Sequence, residues 1–235
     1  MIDPQDYKEI YKDLLDNNLR DYNTKVTTFF PQVGEKYFEN KPRILFVGKA
    51  TNGWIPDDRN VENLFNLKNP NRIVNRDDQM KWVNNLEGKR SDHHYNTKKS
   101  SFWRVIKGIT LSTINKNDWY NYIAWSNLYK IAPCEGGNPS SHLIKLQYNN
   151  SRKLLELDLK TLDPDIVIFL TSGWENNLLK EMEIKNDKKS FEEWKKYKTF
   201  YKKIEDKIYI YSYHPQGKNE RAHINAVKSI INKSM

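Results

Sequence analysis

Three clusters of polar residues that could do chemistry each follow an apolar segment of this chain. His214 is in one of them, at residues 211–219 (Tyr-Ser-Tyr-His-Pro-Gln-Gly-Lys-Asn), where proline and glycine end the apolar segment. The other two are Gly-Lys-Ala-Thr-Asn at residues 48–52 and Ser-Asn at residues 126–127. Imidazole and amide groups can both donate and accept hydrogen bonds. Because ligands bind at the C-terminal ends of the strands in an open parallel sheet, we expect the three clusters to form one site.

Four apolar segments are typical of the buried strands that would position these clusters. They cover residues 43–48, 122–125, 165–170 and 207–213. Helical patterns separate them, and strands that alternate with helices predict βαβ units with a parallel sheet covered on both faces. The predicted fold is therefore α/β, a three-layer α/β/α arrangement around a central four-stranded, mainly parallel sheet.

Local signals predict where the helices begin and end. In chain order they are a helix opened by Asp3-Pro4, a helix over residues 102–109 capped by Ser100 or Ser101, a helix over residues 151–162 stopped by Asp163-Pro164, a helix starting near Trp174, and a last helix capped by Asn219.

The length of 235 residues predicts one domain, since the chain has no internal repeat and no linker. Within this single domain, residues 1–40 form an N-terminal helical extension and residues 52–99 an irregular insertion rich in Asn and Asp. The Lys-rich residues 185–203 carry interleaved aromatic side chains. They indicate an exposed segment outside the sheet. A half-buried surface helix is favoured there over a surface that binds DNA.

Composition limits the classes of partner and site. Lys and Arg outnumber Asp and Glu by 39 to 30, a net charge of +9 that favours polyanions or, alternatively, a solvated lysine-rich surface. The single cysteine, Cys134, excludes an intrachain disulfide and a four-cysteine metal or iron–sulfur site. His93 and His94 lack a third ligand at usable spacing, so no metal is expected. No apolar run approaches a membrane span and the first residues are polar, which predicts a cytoplasmic protein without membrane contact.

From about Arg43 to the C-terminus, short motifs resemble the uracil-DNA glycosylase superfamily in order and spacing. The matching segments are Ile-Leu-Phe-Val-Gly at residues 44–48, Asn-Leu-Tyr-Lys with Pro133 at residues 127–133, Leu-Asp-Pro-Asp-Ile-Val at residues 162–167, and Tyr-His-Pro at residues 213–215. His94-Tyr95 and Phe102-Trp103 are similar in spacing to a pattern of the mismatch-specific branch. The resemblance implies a uracil-DNA glycosylase-like fold.

The first motif departs from the family pattern. Residues 48–53 read Gly-Lys-Ala-Thr-Asn-Gly, without the proline and without an acidic residue. Asn52 could supply the amide that orients the attacking water, and Asp57 or Asp58 could reach the same place. The departure bears on rate and substrate choice more than on the fold.

The resemblance implies a role for each candidate residue. These enzymes flip the target base into a pocket, and preorganised donors stabilise the base as it leaves. The catalytic candidates are Asn52, which would position water, and His214, which would donate to the leaving base. The base-binding candidates are Gly48, Lys49, Ala50, Tyr95 as a stacking platform, and Asn127. The DNA-binding candidates are Pro215, Gln216, Gly217, Lys218, Asn219 and Arg221, near a helix N-terminus.

Ordinary structural explanations stand beside these roles. They are a strand-end histidine bonded to backbone for His214, a cap for Asn127, a core residue for Tyr95, a turn with Gly53 for Asn52, an exposed lysine for Lys49, and a capped helix start for residues 217–219.

The expected function is that of a monofunctional DNA N-glycosylase, acting on uracil or on a modified or damaged pyrimidine. It would use water with no metal and no organic cofactor, bind DNA, and be a monomer. One alternative is a glycosylase for hypermodified phage bases in anti-phage defence, and another is a catalytically weak DNA-binding member. A small-molecule enzyme such as a nucleotide hydrolase is disfavoured, because no glycine-rich phosphate loop follows the first strand.

Overall fold

The structure, a computed structural model, describes residues 3–52, 58–76, 80–84, 96–182, 184 and 190–235. The chain forms two compact units, neither of which is one continuous stretch. The first comprises Met1–Pro31, Lys49–Asp77 and Ser126–Asp163, and the second comprises Gln32–Gly48, Asp78–Trp125 and Pro164–Met235.

The described elements include nine strands and six α-helices. The strands are β1 (Val26–Thr28), β2 (Gln32–Val33), β3 (Ile44–Gly48), β4 (Ile123–Asn127), β5 (Ile131–Pro133), β6 (Ile166–Leu170), β7 (Ser190–Trp194), β8 (Tyr197–Ile204) and β9 (Lys207–Ser212). The α-helices are α1 (Gln5–Lys12), α2 (Val61–Phe65), α3 (Ser101–Thr113), α4 (Ser141–Leu162), α5 (Asn176–Glu181) and α6 (Glu220–Ser234).

The main sheet has the strand order β2-β4-β3-β6-β9-β8-β7. β3 and β6 pair in parallel with Ile44 opposite Ile166, and β6 pairs in parallel with β9 with Ile166 opposite Ile208. The outer pairs β2–β4, β9–β8 and β8–β7 are antiparallel. The predicted α/β class is confirmed, and the four predicted strands are the adjacent strands β4-β3-β6-β9. The predicted count was too small, because β2, β7 and β8 extend the sheet to seven strands of mixed direction.

The hairpin of β7 and β8 corrects the expectation of a surface helix within residues 185–203. Its buried side chains alternate with exposed ones: Trp194 and Thr199 are buried, while Phe191 and Lys198 are on the exposed side. Such alternation is the pattern of a half-buried strand. α6 packs against this hairpin and against α3 within the second unit.

The first unit is built on α1, α4 and the small β1–β5 ladder. Gln147 of α4 joins the helix to β5, since its amide accepts from the Ile131 N–H at 3.0 Å and donates to the Ile131 carbonyl at 2.8 Å. Tyr11 packs against Phe65 with ring centroids 5.4 Å apart, and Phe30 lies 6.0 Å from the same ring. These rings form an aromatic core between α1 and α2.

The capping residues confirm several helix predictions. The side chains of Ser100 and Asn219 accept from the main chain at the starts of α3 and α6. Asp163 ends α4 in the left-handed conformation at φ 40°. The helix predicted over residues 151–162 starts ten residues earlier than expected, because Ser140 caps it and polar Gln147 and Asn150 are buried on its inner face. Over the described ranges, no helix has the length and apolar character required to cross a membrane.

Candidate functional site

His214 follows β9 and is held by the end of β6. Its main-chain N–H donates to the Ser172 Oγ at 2.8 Å, and the Ser172 N–H donates to the Ser212 carbonyl at 3.0 Å. The imidazole lies parallel to the Phe102 ring, with centroids 5.7 Å apart and planes 13° apart. Phe102 in turn packs on Trp125, with centroids 6.4 Å apart. Backbone and ring are therefore both fixed by neighbours in the second unit.

The tautomer of His214 follows from one hydrogen bond. The Gln216 N–H donates to its Nδ1 at 3.4 Å, so in the neutral ring Nδ1 carries the lone pair and Nε2 carries the proton. An imidazole that accepts at Nδ1 in this way presents its Nε2–H as a donor. This is the property that the sequence interpretation requires of His214.

The loop after His214 is a capped helix start, as the structural alternative expected. The Asn219 Oδ1 accepts from the Ala222 N–H at 2.9 Å, and Gly217 adopts φ 71°, a left-handed conformation suited to glycine. The burial of the predicted DNA-binding residues is uneven: Pro215 is buried, Lys218 is half-buried, and Gln216, Gly217, Asn219 and Arg221 are exposed. This cap leaves the exposed side chains open to a ligand as well.

Two of the three polar clusters meet within the first unit. The Tyr129 N–H donates to the Lys49 carbonyl at 3.0 Å, which brings residues 49–52 beside the segment that follows Asn127. Lys49 and Ala50 are half-buried, and the preceding residue Gly48 is buried at the end of β3 in the second unit. The third cluster, with His214, belongs to the second unit.

Asn52 makes a structural contact. Its Oδ1 accepts from the Gly137 N–H at 2.7 Å, and Asn52 itself is exposed. The amide oxygen that would orient water is thus bonded to the backbone of a distant loop, a structural contact, while the turn proposed with Gly53 lies outside the described residues. Asp58, the possible substitute, accepts from the Asn60 N–H at 2.8 Å before α2.

Asn127 is the most unusual of the predicted residues. It is 1% exposed at the end of β4, and its Nδ2 has no hydrogen-bond partner among the described residues. Its main-chain carbonyl accepts from the Lys130 ammonium at 2.7 Å. A buried donor without a partner costs about 1–3 kcal/mol. Such a cost is expected where a ligand supplies the missing acceptor.

Lys130 and Asp158 form a fully buried ion pair that the sequence interpretation missed. The Lys130 Nζ lies 2.5 Å from the Asp158 Oδ2 and 2.6 Å from the Ser126 Oγ, in addition to its bond with the Asn127 carbonyl. The Ser126 hydroxyl donates to the same Asp158 oxygen at 2.6 Å. Burial lowers the pKa of Lys130 and raises the pKa of Asp158, while each partner opposes the shift of the other. The available signal was a carboxylate on the apolar face of α4.

A second buried polar network lies in the second unit. The His223 Nε2 is 2.7 Å from the Ser212 Oγ, which is 2.7 Å from the Thr199 Oγ1, and Thr199 accepts from the Trp194 Nε1 at 2.9 Å. Burial, followed by the charges of Lys218 and His214, lowers the pKa of His223 from 6.5 to about 3. The imidazole is therefore neutral at neutral pH.

Some predicted residues cannot be placed. Tyr95, His93 and His94 lie outside the described residues, as do Gly53 and Asp57. Within the described ranges, no three His, Cys, Asp or Glu residues are grouped so that they could hold a metal ion. No model of a known protein family matches the chain, and a search of curated proteins gives no significant match.

Proposed function

We propose that this chain is a DNA N-glycosylase that flips a uracil or a modified pyrimidine out of DNA and hydrolyses its N-glycosidic bond. The observation that carries the proposal is the buried Asn127 amide, whose Nδ2 has no partner among the described residues. A pyrimidine carbonyl is a suitable acceptor for this donor, because enzymes that flip bases read them by hydrogen bonds to the base edge.

The fixed imidazole of His214 supports the same chemistry. Negative charge develops on the departing base when its bond to the sugar breaks, and a preorganised donor stabilises that charge. With its Nδ1 accepting from the Gln216 N–H, the His214 ring carries its proton at Nε2, where it can donate to the base. Removing one donor of this kind costs roughly 100-fold or more in rate. In this proposal Asn127 recognises the base and His214 assists its departure.

The contact of Asn52 favours a second candidate, a DNA-binding protein with little catalytic power. Its amide oxygen is bonded to Gly137, and the motif that normally carries a water-orienting acid has none at residues 48–52. This candidate predicts salt-sensitive DNA affinity without abasic sites.

An assay for abasic sites separates the two candidates. Labelled duplexes carrying uracil, mismatched thymine, common damaged bases, or phage-type modified cytosines are incubated with the full chain and then cleaved with alkali. We expect strand breaks on at least one substrate, and a loss of about 100-fold or more in single-turnover rate for His214→Ala and for Asn127→Ala.

Matched variants control for general damage to the protein. His142→Ala and Asn225→Ala remove the same side chains from exposed positions and should leave the rate unchanged. If the unaltered chain makes no abasic site on any substrate, the glycosylase proposal is wrong. Retained, salt-dependent DNA binding would then support the second candidate.

A further inference from the structure

Two lysines of the second unit place their ammonium groups at one tyrosine ring. The Lys196 Nζ, from the turn between β7 and β8, lies 5.7 Å from the centroid of the Tyr197 ring. The Lys218 Nζ, from the loop after His214, lies 5.4 Å from the same centroid and 5.7 Å from that of Tyr213. It also donates to the Gln216 carbonyl at 3.2 Å, which fixes its direction. These four side chains, Lys196, Tyr197, Tyr213 and Lys218, are called the lysine–tyrosine cluster below.

The rings of this cluster rest on a rigid and uncharged base. Tyr197 lies 4.9 Å from Tyr213 and 4.8 Å from Trp194, centroid to centroid. Trp194 is buried and stacks on His223 at 4.4 Å with planes 5° apart. Because the pKa of His223 is lowered to about 3, its ring is neutral at neutral pH and adds no charge to the stack beneath the tyrosines. The tyrosines are half-buried and keep part of their surface accessible.

The two ammonium groups repel each other, and no carboxylate compensates them among the described residues. Partial burial, and then the charge of Lys196, lowers the pKa of Lys218. Other lysines of the region are paired: Lys198 lies 3.3 Å from Glu193, and Lys233 bonds to Glu192. Like charges placed together on an aromatic surface cost free energy, and a bound anion removes that cost.

We propose that the lysine–tyrosine cluster is a two-point clamp for the phosphodiester backbone of nucleic acid. Surfaces that bind strands without sequence preference combine cationic groups that follow the backbone with aromatic rings that contact bases or sugars. Tyr213 immediately precedes His214, so a strand held here would pass beside that residue. In this respect the inference rests on the proposed function and names where the DNA strand is bound.

The clamp is tested by measuring binding alone, with no cleavage step. Labelled single-stranded and double-stranded oligonucleotides without a target base are titrated with the full chain over a range of salt concentrations. Lys196→Gln and Lys218→Gln should each reduce the salt slope by about 0.7 for a single strand and about 0.9 for a duplex, corresponding to about 5-fold weaker binding of a single strand at 0.1 M salt. The double variant should show the sum of both losses.

Lys198→Gln is the matched control, because it removes one lysine charge from the hairpin that carries Lys196. Its lysine is already paired with Glu193, so its salt slope should stay near that of the unaltered chain. Equal losses in all three variants would mean a diffuse positive field and would overturn the clamp, as would unchanged binding in the Lys196 and Lys218 variants. Melting temperatures within about 2 °C of the unaltered chain confirm that each variant is folded.

A strand of abasic phosphodiester units identifies the group that is bound. The clamp predicts that Lys196→Gln and Lys218→Gln weaken binding of this abasic strand as much as binding of an ordinary one. If the variants lose affinity for the ordinary strand alone, the lysines act through the bases and the clamp is overturned. Failure of the two proposals is distinguishable. If the unaltered chain makes no abasic site but the variants lose affinity, the clamp stands and the glycosylase fails. If cleavage depends on Asn127 and His214 while the lysine variants bind normally, the glycosylase stands and the clamp fails.

Discussion

Replacing Lys130 by methionine tests the buried ion pair directly. The substitution removes an ammonium group whose contacts are 2.5 Å to Asp158, 2.6 Å to Ser126 and 2.7 Å to the Asn127 carbonyl. Both charged side chains are fully buried. After the change, the Asp158 Oδ2 loses the ammonium and keeps the hydrogen bond from the Ser126 hydroxyl at 2.6 Å. Breaking a buried pair from one side costs about 3–5 kcal/mol, a large part of the 5–15 kcal/mol that stabilises a typical domain.

A double-mutant cycle shows whether the cost comes from the unpaired charge. Lys130→Met with Asp158→Leu removes both charges and fills the space with apolar atoms, a change that is often neutral when volumes match. We expect the double variant to be at least about 2 kcal/mol more stable than the sum of the single losses predicts. The assay is urea unfolding followed by far-ultraviolet circular dichroism, with equal m-values required for the comparison.

The pH dependence of the free energy of unfolding is a second test of the ion pair. Without Lys130, burial raises the pKa of Asp158 further above its ordinary value, because the opposing charge is gone. A carboxyl group whose pKa is higher in the folded than in the unfolded chain destabilises the fold as pH rises through these values. The deficit of Lys130→Met should therefore shrink as the pH falls towards 4. A loss below about 1 kcal/mol at neutral pH, or additive single losses, would refute the ion pair.

Two further predictions concern the second unit. Since the pKa of His223 falls from 6.5 to about 3, below pH 6.5 the unfolded chain takes up a proton that the folded chain does not. Between pH 7.5 and pH 5 this group should remove about 2 kcal/mol of stability; His223→Leu should abolish that part of the fall in urea titrations, and an unchanged pH profile would contradict it. A Cβ added at Gly34 would lie 2.4 Å from the main-chain carbonyl of Asn121. Gly34→Ala should therefore cost about 2–3 kcal/mol, and an unchanged unfolding midpoint would show that the backbone can yield.

The central strands could be predicted because their sequence signal is local. β3 and β6 are short runs of apolar side chains buried along their whole length, which is typical of the middle of a sheet. The β7–β8 hairpin gave the opposite impression, because its exposed face is rich in lysine. Only the alternation of Trp194 and Thr199 with polar neighbours indicates strands, and the five-residue β7 is too short to make that pattern decisive.

The helix caps could also be predicted from local sequence, whereas the buried polar groups could not. Asn219 accepts from a main-chain N–H three residues later, so four consecutive residues suffice to predict the cap. Lys130 and Asp158 are separated by 28 residues, and only the fold determines that they meet. The candidate site residues were identified at strand ends because ligands bind at the C-terminal ends of parallel strands. The buried groups beside them could not be identified from the sequence, because their partners are distant along the chain.

Asn127 and Lys130 show how satisfaction of buried polar groups separates a binding residue from a supporting one. Lys130 has three acceptors, whereas the Asn127 Nδ2 has none among the described residues. Replacing an unpaired buried donor by an apolar group of similar shape is expected to be neutral or to stabilise by up to about 1–3 kcal/mol. Asn127→Leu should therefore keep or raise the free energy of unfolding in urea while it abolishes abasic-site formation.

Lys130→Met should have the opposite profile: a large loss in the free energy of unfolding and a smaller effect on abasic-site formation. A destabilisation of Asn127→Leu as large as that of Lys130→Met would mean that the Asn127 amide is structural. The proposed reading of a base edge would then lose the observation that carries it. Raised stability with lost activity is the combination that a site held ready for a ligand predicts, because such a site leaves in the free protein a donor that only the ligand satisfies.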